Sequence, residues 1–306
     1  MDEHPKVTVI GASNVDITGF TKHELIYKDA NIGTMKTSAG GVGRNIAENL
    51  SKLDFDVNLV SIFGDDPLSD FIVNHSIDVG INVSESLFLK NASTSTFIAI
   101  MDSHNDLALG ISAMDIYDDI DTEKLLSKQQ DKQPGYVVLE TNFDEKTLQS
   151  AVQLFPDSKI VLDTVSGKKA MRALPVLAHL FILKTNLLEA EMMSGLHATS
   201  PEGYPKLVQW FLDNGVKNVF ITLGKEGVIY GNAVKIAHQS SIPSTVINTI
   251  GAGDSFVSGL IYADNLDKDI DQCARYGMAA ASITVGHNEA VSPDMSVINI
   301  ERKIEA

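Results

Sequence analysis

Cysteine and tryptophan are almost missing from this chain: one of each, Cys273 and Trp210, in 306 residues. A single thiol excludes an intrachain disulfide and any metal site built on several cysteines. Cys273 lies in the apolar pattern of a late helix, which predicts a reduced, buried side chain. Trp210 falls on the apolar face of a helical pattern over 204–214 and is expected in the core. The histidines are scattered, with no His-x-x-x-His pair to suggest a metal site. Basic residues are scarce, 24 against 40 acidic ones, for a net charge of −16. That excludes nucleic acid as a partner, because a phosphate backbone needs a basic footprint. It leaves ATP open, since backbone dipoles and Mg²⁺ can build a local anion site. No uncharged apolar run reaches membrane-spanning length, and the first residues run into strand-like Val7-Thr8-Val9-Ile10 without a signal-peptide pattern. A cytoplasmic protein with no membrane partner is expected.

Two nucleotide-site fingerprints are also absent. No Gly-x4-Gly-Lys-Ser/Thr occurs, and the nearest string, Ser166-Gly167-Lys168-Lys169, lacks both the earlier glycine and the hydroxyl. Gly41-x-Gly43 begins like a dinucleotide motif, but Ile46 stands at the third glycine position.

What is present is an ordinary globular composition, 44% hydrophobic and 21% charged,. Short apolar runs at 7–10, 57–61, 136–140, 160–163, 180–184 and 219–223 read as strands. Helical patterns at 43–53, 144–155, 187–194 and 204–214 lie between them. Such alternation predicts an α/β fold with a parallel sheet covered by helices on both faces. Ligands of such folds bind at the carboxyl ends of the strands. Two segments break the pattern. The stretch 20–40 is polar and turn-rich, and 87–113 alternates β-branched residues with no helix between. Both are expected as strands of a small sheet that covers the site, the alternative being long surface loops. No internal repeat or inter-domain linker is evident, so a single domain over 1–306 is expected, with lid segments near 12–39 and 90–113.

The strongest motif is Asn248-Thr249-Ile250-Gly251-Ala252-Gly253-Asp254, directly before an apolar helical run. The glycines let backbone N–H groups converge on an anion at a helix N-terminus. Asp254 is placed to accept the proton of a hydroxyl that attacks a phosphoryl group. Gly40-Gly41-Val42-Gly43-Arg44-Asn45 precedes another helix; it allows close approach to a polyol, with Asn45 as donor and acceptor, or forms a plain tight turn. Asn14 and Asp16, two apart, share one side of an extended segment and point to one ligand or belong to a turn. Asn186 and Glu189, three apart, share a helical turn. Glu189 there can hold a hydrated Mg²⁺, and a capping box explains the pair equally well. Thr222-Leu223-Gly224-Lys225-Glu226-Gly227 ends a strand and fits either a nucleotide-contacting turn or a hairpin.

Together and in this order, these motifs resemble the ribokinase-like (PfkB-type) carbohydrate and nucleoside kinase family over essentially the whole chain. Within it the chain is most similar to the pseudouridine kinase group, through Asn14-Val15-Asp16, the run from Gly40 to Leu50, and Asp163-Thr164-Val165-Ser166 with Lys169. Asn248 stands where most of the family has Asp. The resemblance implies a three-layer α/β sandwich with a mostly parallel central sheet and a small β lid. It implies ATP-dependent phosphorylation of the 5′-hydroxyl of pseudouridine, with Asp254 as base and the backbone of Gly251, Ala252 and Gly253 stabilising phosphoryl charge. Asp16, Gly40, Gly41 and Asn45, with Asn14 close by, would hold the ribose. Asn142, Ser166 and Lys169, with Thr96 and Met114 from the lid, are the base-side candidates. Asn186, Thr222, Gly224 and Gly227 would line the ATP site, Glu189 would organise Mg²⁺, and a monovalent cation such as K⁺ is a further candidate. Lid pairing into a homodimer is implied as well. The same chemistry on another nucleoside or a sugar, and a non-catalytic nucleoside-binding protein, are the alternatives.

Overall fold

The computed structural model describes residues 4–104, 106–198 and 200–305. Its main sheet has nine strands, in the order Ile236–Gln239, Val228–Asn232, Asn218–Thr222, Ile182–Asn186, Lys159–Asp163, Tyr136–Glu140, Lys6–Ile10, Asp56–Val60, Ile81–Asn82. The pairings from Asn218–Thr222 to Ile81–Asn82 are parallel, and the two beyond Asn218–Thr222 are antiparallel. Central strands covered on both faces are near-continuous apolar runs, and Tyr136–Glu140 is buried at every position, including the closing Glu140.

Alternate side chains divide between two cores, as the two-residue period requires. Val138 packs with Ile46, Leu50, Phe256 and Leu260, while Val137 and Leu139 pack with Leu148, Val152, Val208 and Phe211. Helices Val42–Ser51, Ala252–Asn265 and Ile270–Thr284 therefore cover one face, and Glu145–Leu154 and Tyr204–Asp213 the other. Cys273 is buried, and burial pushes its thiol up to about 12. Trp210 is only partly buried, packed at the margin of the second core.

One strand is displaced from its expected place. The apolar run at 180–184 predicts a strand there, whereas the strand is Ile182–Asn186. Leu180 instead caps the 3₁₀ stretch Met171–His179, its N–H donating to the Leu177 carbonyl at 3.1 Å. The shift moves Lys184 to the middle of the strand and brings Asn186 onto its carboxyl end.

A second sheet of four strands has the order Gly33–Gly40, Asn14–Thr21, Thr96–Met101, Leu107–Ala113. The turn-rich character of 20–40 belongs to the connection between the first two strands, and the pair begins earlier, at Asn14. Leu87 and Phe88 leave the expected lid segment and pair with Ile62 and Phe63 in a separate ribbon. The helix after Gly41 is seated on the end of Lys6–Ile10 by backbone contact: a Cβ on Gly43 would lie 2.5 Å from the Gly11 Cα.

Candidate active site

At the carboxyl ends of the central strands the two glycine motifs meet. Gly251 is the N-cap of Ala252–Asn265 with φ 78°, a left-handed conformation suited to glycine,. A Cβ there would lie 1.8 Å from the Ala290 carbonyl oxygen. The first N–H groups of a helix have no intrahelical partner; here Ala252 N–H donates to the Thr249 carbonyl at 3.3 Å, and the turn presents the positive dipole end. Asp254 sits in the first turn, 8% exposed. Burial, then the charge of nearby Asp163, pushes its carboxyl up to about 7. Asn45, from the other motif, donates its Nδ2 to Asp254 Oδ2 at 2.9 Å across 209 residues of sequence.

On one flank, Asn14 pairs in register with Gly40, and its Nδ2 donates to Asp16 Oδ1 at 2.5 Å. A Cβ on Gly40 would lie 2.2 Å from Asp16 Oδ2, so the missing side chain makes room for the carboxylate. Burial raises Asp16, opposed by the Asn14 hydrogen bond and by Arg44. Gly41, with φ 98°, turns the chain against the Ala12 carbonyl, 2.5 Å from where its Cβ would be. Arg44 is buried and pairs with Glu48, while donating to the Ala39 carbonyl and Asn45 Oδ1 at 3.2 Å each. It fixes the amide that reaches Asp254.

Next to that flank, Glu140 ends its strand fully buried. Its Oε1 accepts from Ala12 N–H at 2.5 Å and its Oε2 from Asn142 N–H at 2.7 Å. Burial pushes Glu140 up to about 7. The Asn142 Oδ1 accepts from Lys169 Nζ, so these two base-side candidates are together. Thr96 is buried, paired with Val15 between Asn14 and Asp16, its hydroxyl donating to the Thr94 carbonyl at 3.0 Å. Ser166 is exposed, and Met114 rests half-buried against the second core, so neither joins that cluster by a hydrogen bond.

Asn186 and Thr222 pair in register at adjacent strand ends. Asn186 and Glu189 form a full capping box. The buried Glu189 carboxylate accepts from Asn186 Nδ2 at 2.6 Å and from the Thr164 hydroxyl at 2.5 Å. Gly224 is open around its Cβ position, whereas a Cβ on Gly227 would lie 2.0 Å from the Gln239 carbonyl oxygen. Gly227 thus closes the hairpin, and Gly224 leaves space above it. Between these groups Lys184 Nζ donates to Asp163 Oδ2 at 2.8 Å, with Asp254 and Glu189 close enough to act on its charge.

The sequence matches the model of the pfkB family carbohydrate kinases over residues 4–296. The chain belongs to that family. It is 28% identical over 307 residues to the pseudouridine kinase of Escherichia coli K12, covering 100% of this chain and 98% of that protein. It is 30% identical over 302 residues to the uncharacterized sugar kinase YeiI of the same organism, covering 98% and 83%. Ribokinase of Arabidopsis thaliana, solved with ribose and ATP, has the same fold, with a TM-score of 0.84 over 99% of each chain at 22% identity. The ribokinase-like α/β fold and the family read from the motifs are thus shown. Its members are ATP-dependent phosphotransferases that act on hydroxyl groups.

Four charged residues of this candidate site stand outside the set expected from the motifs: Glu140, Asp163, Lys184 and Arg44. Glu140 and Asp163 close the strands Tyr136–Glu140 and Lys159–Asp163, and Lys184 directly follows the buried apolar pair Ile182–Leu183. A charge closing a buried run at the ligand-binding edge is the signal that would have found them. A cavity of about 410 Å³ lined by Phe181, Asn218, Lys235 and Asp271 lies elsewhere, at the amino ends of Ile182–Asn186 and Asn218–Thr222.

Proposed function

We propose that this kinase transfers the γ-phosphoryl group of ATP to the 5′-hydroxyl of pseudouridine, giving pseudouridine 5′-phosphate and ADP. The observation that carries the chemistry is Asp254: a buried carboxyl poised near 7, held by Asn45, in the first turn of a helix with a glycine N-terminus. A base of that basicity suits a hydroxyl near neutral pH. The substrate proton goes to Asp254, the O5′–phosphorus bond forms, and the bond from the γ-phosphorus to the bridging oxygen of ADP breaks. Backbone N–H groups of Gly251, Ala252 and Gly253 face the charge on the transferred group. Asn14, Asp16, Gly40, Gly41 and Asn45 hold the ribose, while Asn186, Thr222, Gly224 and Gly227 border the nucleotide.

Pseudouridine is supported by the full-length likeness to a pseudouridine kinase and by the Asn142–Lys169 pair beside the ribose flank. Pseudouracil carries a ring N–H that uracil in uridine lacks, and a buried acceptor such as Asn142 Oδ1 discriminates for it. Ser166, Thr96 and Met114 complete the base side once the four-stranded sheet closes as a lid and excludes water. The distal part of that sheet also supports pairing into a homodimer.

Mg²⁺ fits the charge balance, since Asp163, Asp254 and Glu189 surround a single ammonium, Lys184. Among the described residues no three acidic, His or Cys side chains cluster to hold a metal unaided. Glu189 would therefore hold the ion through water and ATP oxygens, and the ion neutralises phosphate charge when bound. A monovalent cation such as K⁺ fits less well: Asn248 brings a neutral amide that donates to the Asn288 carbonyl at 3.1 Å.

The test is ADP release from Mg-ATP with pseudouridine, uridine, adenosine, ribose and fructose offered separately. Strong turnover with pseudouridine and little with uridine is the expected result. Turnover on a sugar or another nucleoside overturns the substrate and keeps the chemistry. Binding of pseudouridine without turnover on any acceptor points to a non-catalytic binding protein.

A further inference from the structure

Lys184 is the one charged residue in an otherwise apolar and neutral strand, Ile182–Asn186, and it lies buried beside the glycine turn. An ammonium has three donors, yet its one hydrogen bond among the described residues is to Asp163. Two N–H groups of a buried cation are left to face something else. Their direction is indicated by Gly253: a Cβ there would lie 2.6 Å from Lys184 Nζ. The ammonium therefore lies against the first turn of the helix. The other nearby cations are engaged elsewhere, Arg44 with Glu48 and Lys169 with Asn142. A bare buried Lys–Asp pair adds little to stability, because desolvation offsets the attraction.

Building on the phosphotransfer reading, we propose that Lys184 is a further catalytic residue, whose ammonium contacts the phosphoryl group in transit beside the backbone donors of 251–253. Those donors are neutral, whereas the migrating group spreads negative charge over three oxygens. A preorganised cation in a water-poor site stabilises that charge without reorganisation. Lys184 has a second consequence. Asp163 raises the basicity of Asp254 and Lys184 lowers it, so the lysine keeps the base ionised nearer neutral pH.

The test compares wild type, Lys184→Met and the double variant Lys184→Met/Asp163→Asn. The acceptor is whichever compound wild type phosphorylates. The single variant is expected to lose about 10²- to 10³-fold in kcat, the size of one transition-state donor. Its nucleoside KM should stay within about threefold, the pattern of an interaction made only in the transition state. The acid limb of its pH profile should move to higher pH. If Lys184 served only as counter-ion to Asp163, the double variant would regain turnover. Recovery to within about tenfold of wild type, or a single variant within that range, overturns the proposal while leaving the phosphotransfer reading intact. The double variant removes both members of the Lys184–Asp163 pair and serves if the single one does not fold. Calorimetry with ADP and with ADP plus aluminium fluoride, a phosphoryl mimic, needs no turnover. Wild type should gain affinity from the fluoride complex and Lys184→Met should not. A wild type with neither that gain nor turnover defeats both readings.

Discussion

A carboxyl acts as base only when ionised, so the raised basicity of Asp254 fixes the direction of its pH response. Below about 7 the group is mostly protonated, and kcat/KM should rise with pH through that region and level off above it. Asp254→Asn keeps an oxygen to accept from Asn45 and removes the proton acceptor. Turnover should fall about 10²- to 10⁴-fold, the usual worth of a positioned base, with nucleoside binding by calorimetry preserved. Near-wild-type turnover in that variant would remove Asp254 as the base. Asp254 and Asn45 were legible because glycines and polar residues crowd a strand-to-helix junction, where backbone geometry restricts residue choice. Glu140 and Lys184 were not, because one charge ending an apolar run makes no pattern by itself. Only pairing in space shows Glu140 tying Ala12 to Asn142.

Between residue and molecule stands the helix Val42–Ser51, whose seat on the first strand is a backbone-to-backbone contact at Gly11 and Gly43. Neither partner can rotate away from a methyl group, unlike a flexible side chain. Gly43→Ala should cost about 1–3 kcal/mol by overpacking and lower Tm by a few degrees in thermal denaturation. The same helix carries Asn45, so KM for the nucleoside should rise alongside. Unchanged Tm and KM would show that the helix shifts freely, and that its seat does not position the site. Element reading from sequence succeeded where periods were long and unmixed: Tyr136–Glu140 and Leu187–Ser194 match their patterns residue for residue. It slipped at Leu180, where a 3₁₀ turn around Pro175 consumed the start of an apolar run. It was coarsest in the second sheet, whose strands mix exposed and half-buried positions and give a weak two-residue signal.

For the molecule as a whole, that second sheet poses a question of association. Strand register places Met35, Gly19, Ile100 and Leu109 in one row, and Thr37, Ile17, Ile98 and Ile111 in the next on the same face. Asp16, by the period of two, points to the opposite face. Met35 is 75% exposed, and Leu109 and Ile111 about half exposed. An apolar group of this kind on an edge strand is a candidate interface, because lone chains seldom leave one uncovered. Against it stands the net charge of −16, which makes two copies repel at long range,. The apolar face acts at contact and the charge is screened by salt within about 10 Å at 0.1 M, so the short-range term should win at ordinary ionic strength. Light scattering coupled to size exclusion should give twice the 33.1 kDa chain mass, with dissociation favoured as salt is lowered. Leu109→Lys with Ile111→Lys should yield a monomer of unchanged helical content, because both side chains lie outside the two cores. A wild type that runs as a monomer at micromolar concentration in 0.15 M salt, or a double-lysine variant that stays dimeric, rules this face out as the interface.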